Sequence, residues 1–113
     1  MKNYSVETKK IVRVFISESD RWEGKPLYLA IIDLCREKGI GGATVLRGIA
    51  GYGLHGKVHT DKILALSGDL PLIIEIISSE DEAARLMPVL GGMLNGGLIT
   101  IDDTSVVRKG KAQ

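Results

Sequence analysis

The sequence is poor in the residues that mark several functional classes. A single cysteine, Cys35, excludes an internal disulfide and any zinc centre built on several thiolates. Aromatic residues make up only 4% of the 113, leaving few platforms on which nucleobases stack. The formal net charge of +1 denies the chain the basic surface by which phosphate backbones are held, so nucleic acid is not an expected partner. No apolar run approaches the roughly 20 residues that span a bilayer, and direct membrane insertion is not expected. Met1-Lys2-Asn3-Tyr4-Ser5-Val6-Glu7 lacks the apolar core and small-residue cleavage site of a secretory signal, which makes the cytoplasm the expected location. No Ser/His/Asp set or paired-carboxylate arrangement stands out, so no catalytic residue is assigned and an enzyme is not expected.

What remains is an ordinary globular composition, 44% hydrophobic and 26% charged, with no linker. A single domain over residues 1–113 is expected, with its core over about 10–108. Ile11-Val12-Arg13-Val14-Phe15-Ile16 reads as a strand. Pro26 suits a first helical turn, and Leu27, Ala30, Ile31, Leu34 and Cys35 follow at helical spacing up to a stop at Gly39. Residues 43–47 and 72–77 read as further strands. Ser79 with Glu82 is a capping box opening a second helix, in which Pro88 predicts a kink or restart. Residues 98–101 form a fourth strand. Asp102 and Asp103 predict a turn into a short fifth at 104–108, and residues 109–113 a frayed tail.

This order is the split βαβ pattern of an α+β, ferredoxin-like βαββαβ sandwich: an antiparallel sheet with two helices on one face. The strands then carry a second message. Alternate positions are apolar on both sides: Val12, Val14 and Ile16 against Ile11 and Phe15, Leu72, Ile74 and Ile76 against Ile73 and Ile77. One helical layer covers one face only, so the open face is expected to be buried in an oligomer. Arg13 and Glu75 interrupt that face on strands expected to be neighbours, and are expected to pair.

Glycine is in excess, 14 residues or about 12% against a usual ~7%, clustered at 39–42, 48–56 and 91–97. Gly51-Tyr52-Gly53-Leu54-His55-Gly56-Lys57 matches two phosphate motifs in part. As a Walker loop it fails, because Val58 stands where a magnesium-binding hydroxyl is required. As a dinucleotide fingerprint it lacks room for a full helix before Gly68-Asp69-Leu70-Pro71. A glycine-rich nest of N–H groups for an anion survives, with Arg47 and Lys57 as cations. His55 and His59 lie four apart near Asp61, but Gly56 opposes a helix and no third ligand is evident, so no metal site is assigned. Cys35 reads as a small core residue.

Several segments together resemble the PII superfamily of signalling proteins, and its short-loop PII-like branch in particular. They are Glu23-Gly24-Lys25-Pro26-Leu27-Tyr28, the stretch from Gly42 to Gly53, residues 63–67, Asp69-Leu70-Pro71-Leu72-Ile73-Ile74-Glu75-Ile76, and Gly97-Leu98-Ile99-Thr100. The resemblance implies a homotrimer with ligand clefts between neighbours. It further implies a small anionic effector, an adenine nucleotide in PII proteins, rather than a permanent cofactor. The loop after the second strand would regulate a partner such as a transporter, channel or enzyme. Gly51 and Gly53 match the base of that loop, and Gly96 and Gly97 resemble the turn that wraps phosphates. Arg108 matches a C-terminal cation reaching a neighbour's ligand. With Arg47, His55, Lys57 and His59 these make up the expected ligand-binding set.

Two departures narrow the analogy. The loop is short with Tyr52 at its base, which argues against tyrosine uridylylation. Leu98 replaces the usual lysine after the glycine turn, leaving diphosphate, monophosphate, cyclic nucleotide or no nucleotide open. The rival reading is a metal-binding trimer similar to CutA, with His55 and His59 as ligands. An acylphosphatase-like enzyme would need a phosphate cradle around Arg21 that the surrounding residues do not supply.

Overall fold

The computed structural model describes residues 3–52 and 69–110, together with the backbone of 58–60. The expected ligand residues Gly53, His55 and Lys57 lie outside the described residues. In chain order the elements are β1 (Tyr4–Ser17), β2 (Arg21–Trp22), β3 (Lys25–Pro26), α1 (Leu27–Glu37), β4 (Gly42–Arg47), β5 (Ala50–Tyr52), β6 (Val58–Thr60), β7 (Pro71–Ser78), α2 (Glu80–Met93) and β8 (Leu98–Lys109).

The main sheet is antiparallel, in the order β4-β7-β1-β8. Its two helices lie on one face, so the ferredoxin-like architecture is borne out. Val12, Val14, Ile16, Leu72, Ile74 and Ile76 point to the helices and meet Leu27, Ala30, Ile31 and Cys35 of α1 and Ala83, Leu86, Leu90 and Met93 of α2. Burying such aliphatic side chains stabilises the domain by about 1.5–3 kcal/mol each. Helix α1 ends as expected before Gly39, whose φ of +70° suits a residue without Cβ. At the start of α2, Ser79 Oγ accepts from the Glu82 N–H and the Glu82 carboxylate accepts from the Ser79 N–H, completing the capping box. The backbone hydrogen bond holds the Glu82 carboxyl below its ordinary value of 4.5.

One element is added and three expectations are corrected. The polar stretch before α1 contains a small ribbon: β2 pairs with β3 across Glu23 and Gly24, both with positive φ. Helix α2 continues through Pro88 instead of restarting. Pro88 and Ala84, whose carbonyl loses its partner, are both exposed, which puts that carbonyl on the solvent side of the helix. Asp102 and Asp103 do not turn the chain. They lie within one unbroken β8, because β1 supplies cations opposite them: Lys10 holds Asp103, and Arg13 Nη1 reaches Asp102 Oδ2 at 3.3 Å. Strand β1 correspondingly begins at Tyr4 rather than Ile11, and its first residues pair with β8 alone.

The face turned away from the helices consists of rows that run across the sheet. One row is Leu46, Ile73, Phe15 and Leu98, and the next is Thr44, Glu75, Arg13 and Thr100. A third carries Ile77 and Ile11. Phe15, Ile73, Ile77 and Ile11 are half-buried, while Leu46 and Leu98 are exposed. The expected pair is present: Arg13 Nε donates to Glu75 Oε2 at 3.2 Å.

Candidate functional site

The exits of β4 and β1 and the entries of β7 and β8 gather at one end of the sheet, and Arg47, Gly96 and Gly97 of the expected ligand residues lie there. Gly96 and Gly97 form the turn into β8 with φ of +102° and +75°. A Cβ on Gly97 would sit 2.3 Å from the Phe15 carbonyl oxygen, so only glycine lets the turn approach β1 this closely. Arg47 stands on the opposite flank, at the end of edge strand β4. Three strand spacings of about 4.8 Å separate β4 from β8, placing the two groups roughly 14 Å apart.

Arg47 is not free. Its Nη2 donates to Glu18 Oε1 at 3.1 Å, and its Nε lies 2.8 Å from Glu18 Oε2. That second oxygen is shielded from solvent and receives no aligned hydrogen bond, so the close approach is a charge contact rather than half of a bidentate fork. Both side chains line an open pocket of about 200 Å³ with Tyr28, Val45 and Leu72. Sequence reasoning had not singled out Glu18, since it sits in a polar stretch and meets Arg47 only through folding.

The other expected residues are dispersed. Gly51 lies in β5, in register with His59 of β6, and close to Pro71 at the start of β7. Tyr52 is exposed beside it. Arg108 is at the far end of β8, about 33 Å beyond Leu98 at roughly 3.3 Å per residue. There its Nε lies 3.5 Å from Glu7 Oε1. One chain therefore brings Arg47 and Gly51 to one flank and Gly96 and Gly97 to the other, and leaves Arg108 apart. Among the described residues, no group of three or more His, Cys, Asp and Glu could hold a metal ion, and no helix is long and apolar enough to cross a membrane. Cys35 is buried, and burial pushes its thiol upward.

The family model described as DUF190, "Uncharacterized ACR", matches residues 9–106. The chain belongs to the DUF190 family. Relatives carry the name UPF0166 protein. One from Aquifex aeolicus is 40% identical over 102 residues, covering 90% of this chain and 96% of its own. Another, from Methanocaldococcus jannaschii, is 40% identical over 100 residues, covering 88% and 92%. Among solved structures, the DUF190 chain is similar to CPII, a nitrogen regulatory PII-like protein from Thiomonas intermedia K12, bound to ADP, AMP and bicarbonate. The TM-score is 0.66 at 15% identity, over 90% of this chain and 98% of that one. A second CPII structure gives the same TM-score at 17% identity. The fold of this DUF190 protein is thus that of PII-like proteins, and the resemblance read from its segments is borne out.

Proposed function

We propose that this DUF190 protein is a PII-like regulator, not an enzyme, that binds an adenine nucleotide in clefts between the subunits of a cytoplasmic homotrimer. The observation that carries the reading is the likeness in fold, along nearly the whole of both chains, to a nitrogen regulatory PII-like protein bound to ADP and AMP. Two features of the chain support it. The consecutive positive-φ glycines Gly96 and Gly97 make the kind of turn in which successive backbone N–H groups can converge on an oxyanion. The apolar rows of the open sheet face call for cover, which other copies supply.

In this reading Arg47, Gly51, Gly53, His55, Lys57, His59, Gly96 and Gly97 make up the ligand-binding set of the cleft, and Arg108 comes from a neighbour. Occupancy of the cleft biases the loop after β4, which docks on a partner such as a transporter, channel or enzyme.

The test is thermal unfolding of the full chain with ADP, AMP, ATP and bicarbonate, and separately with divalent metal ions, beside a light-scattering mass. A ligand at a hundred times its Kd stabilises by about 2.7 kcal/mol, a rise of several degrees in Tm. No rise with any adenine nucleotide refutes the reading. A response to metal ions alone replaces it with the CutA-like alternative, and a monomer at micromolar concentration removes the intersubunit cleft.

A further inference from the structure

Glu18 occupies an unusual position in the chain's connections. Its backbone N–H donates to the Leu70 carbonyl at 2.8 Å, at the entry to β7. Its side chain holds Arg47, the last residue of β4. The neighbouring Ser19 Oγ donates to Asp69 Oδ1 at 2.7 Å, and the Gly48 N–H donates to the Pro71 carbonyl at 2.7 Å. The exit of β4 and the entry of β7 are therefore tied to each other and to the exit of β1, with Glu18 common to both ties. Its carboxylate is one-fifth exposed while the Arg47 side chain is 59% exposed, so the cation presents its outer side to solvent and the anion behind it is fixed.

We propose that Glu18 is a built-in competitor for the cation at Arg47: a phosphate-bearing ligand takes the Nε/Nη2 edge of the guanidinium only by displacing the Glu18 carboxylate. Glu18 is thus a positioning residue, setting both the affinity for anions and the tie between the end of β4 and the exit of β1. The geometry favours exchange. Glu18 offers one aligned hydrogen bond, whereas a phosphate presents oxygens that match the planar fork of a guanidinium in pairs. Occupancy of that edge of Arg47 by ligand and its contact with Glu18 exclude each other, so the anion's arrival loosens the link between the end of β4 and the exit of β1. The ligand half of this inference rests on the nucleotide reading above; the tie itself does not.

The experiment compares wild type with Glu18→Gln, Glu18→Ala and the double variant Glu18→Gln/Arg47→Gln. Calorimetric titrations use ADP and uncharged adenosine, and amide exchange is followed without ligand. Removing the competing charge is expected to tighten ADP about two- to fivefold, the range of an exposed ion pair, and to leave adenosine unchanged. The double variant loses the gain. A residue with a merely structural role does not tighten a charged ligand selectively. In the ligand-free protein, the Gly48 and Glu18 amides exchange faster in both single variants. Weaker ADP binding by Glu18→Gln, or equal gains for ADP and adenosine, overturns the competition. Unchanged exchange at Gly48 overturns the tie. Should wild type bind no ADP, the nucleotide reading falls, and the ligand half of the inference falls with it. The tie is then decided by exchange alone.

Discussion

Arg13 and Glu75 give the sharpest test of the sheet's open face. They stand side by side across β1 and β7, and Arg13 also reaches Asp102 on β8, so one guanidinium serves two carboxylates. Glu75 and Arg13 each retain about a third of their side-chain exposure, 34% and 32%, in the single chain. At that exposure solvent screens the pair and its worth is near the upper end of about 0.2–1 kcal/mol. Covered by other subunits, the same pair approaches the regime in which removing one partner costs about 3–5 kcal/mol. The variants are not equivalent. Glu75→Leu leaves Arg13 with Asp102, whereas Arg13→Met leaves two carboxylates on an apolar face with no cation between them. Arg13→Met is therefore expected to cost more. The assay is a double-mutant cycle by urea denaturation, run at two protein concentrations. Coupling of about 0.5–1 kcal/mol at low concentration should grow as the oligomer forms. Coupling within about 0.3 kcal/mol of zero at both concentrations refutes the pairing and the burial argument built on it.

Four further outcomes follow from local geometry. Gly97→Ala places a Cβ against the Phe15 carbonyl at a positive φ, and should cost at least about 1–3 kcal/mol in chemical denaturation. Ser79→Ala removes the cap of α2 and should cost about 1 kcal/mol. Because the folded Glu82 carboxyl is held below 4.5, its contribution is present above that pH and lost as pH falls through the folded value. The deficit of Glu82→Ala in thermal unfolding should therefore fade on acidification. Cys35 is buried with its thiol pushed upward, so alkylation at pH 8 should be slow in native protein and fast in urea.

The parts of the fold that were legible in the sequence rest on short-range chemistry. The apolar spacing from Leu27 to Cys35, the capping box at Ser79, and the doubly apolar strands each carry their signal within a few residues. The misread parts rest on partners far away in the chain. Asp102 and Asp103 look like a turn because two adjacent carboxylates disfavour a strand. Arg13 and Lys10, about 90 residues earlier, make the strand acceptable. Pro88 looks like a break because its cost depends on whether the bereft carbonyl faces water, which packing decides. The site divides in the same way. The glycines at 96 and 97 announce a turn, and the positive φ follows from that alone. That Arg47 is held by Glu18 could not be read from either residue's surroundings in the sequence.

The placement of Arg47, the glycine turn and Arg108 makes the proposed cleft testable by complementation. Arg108 stands at the opposite end of β8 from Gly97, so a ligand that touches both cations must lie between two chains. Arg47→Gln and Arg108→Gln should each weaken ADP binding when prepared alone, because every cleft then lacks one cation. Chains refolded together at equal amounts assort at random around a closed ring. About a quarter of the interfaces then pair an intact Arg47 from one chain with an intact Arg108 from its neighbour. Calorimetry of the mixture should show high-affinity sites at about a quarter of the wild-type stoichiometry. If both cations served a ligand within one chain, no mixture would regain such a site, since each chain carries one defect. A mixture that binds ADP no better than its two parents refutes the shared cleft, and a wild-type affinity in Arg108→Gln alone removes Arg108 from it.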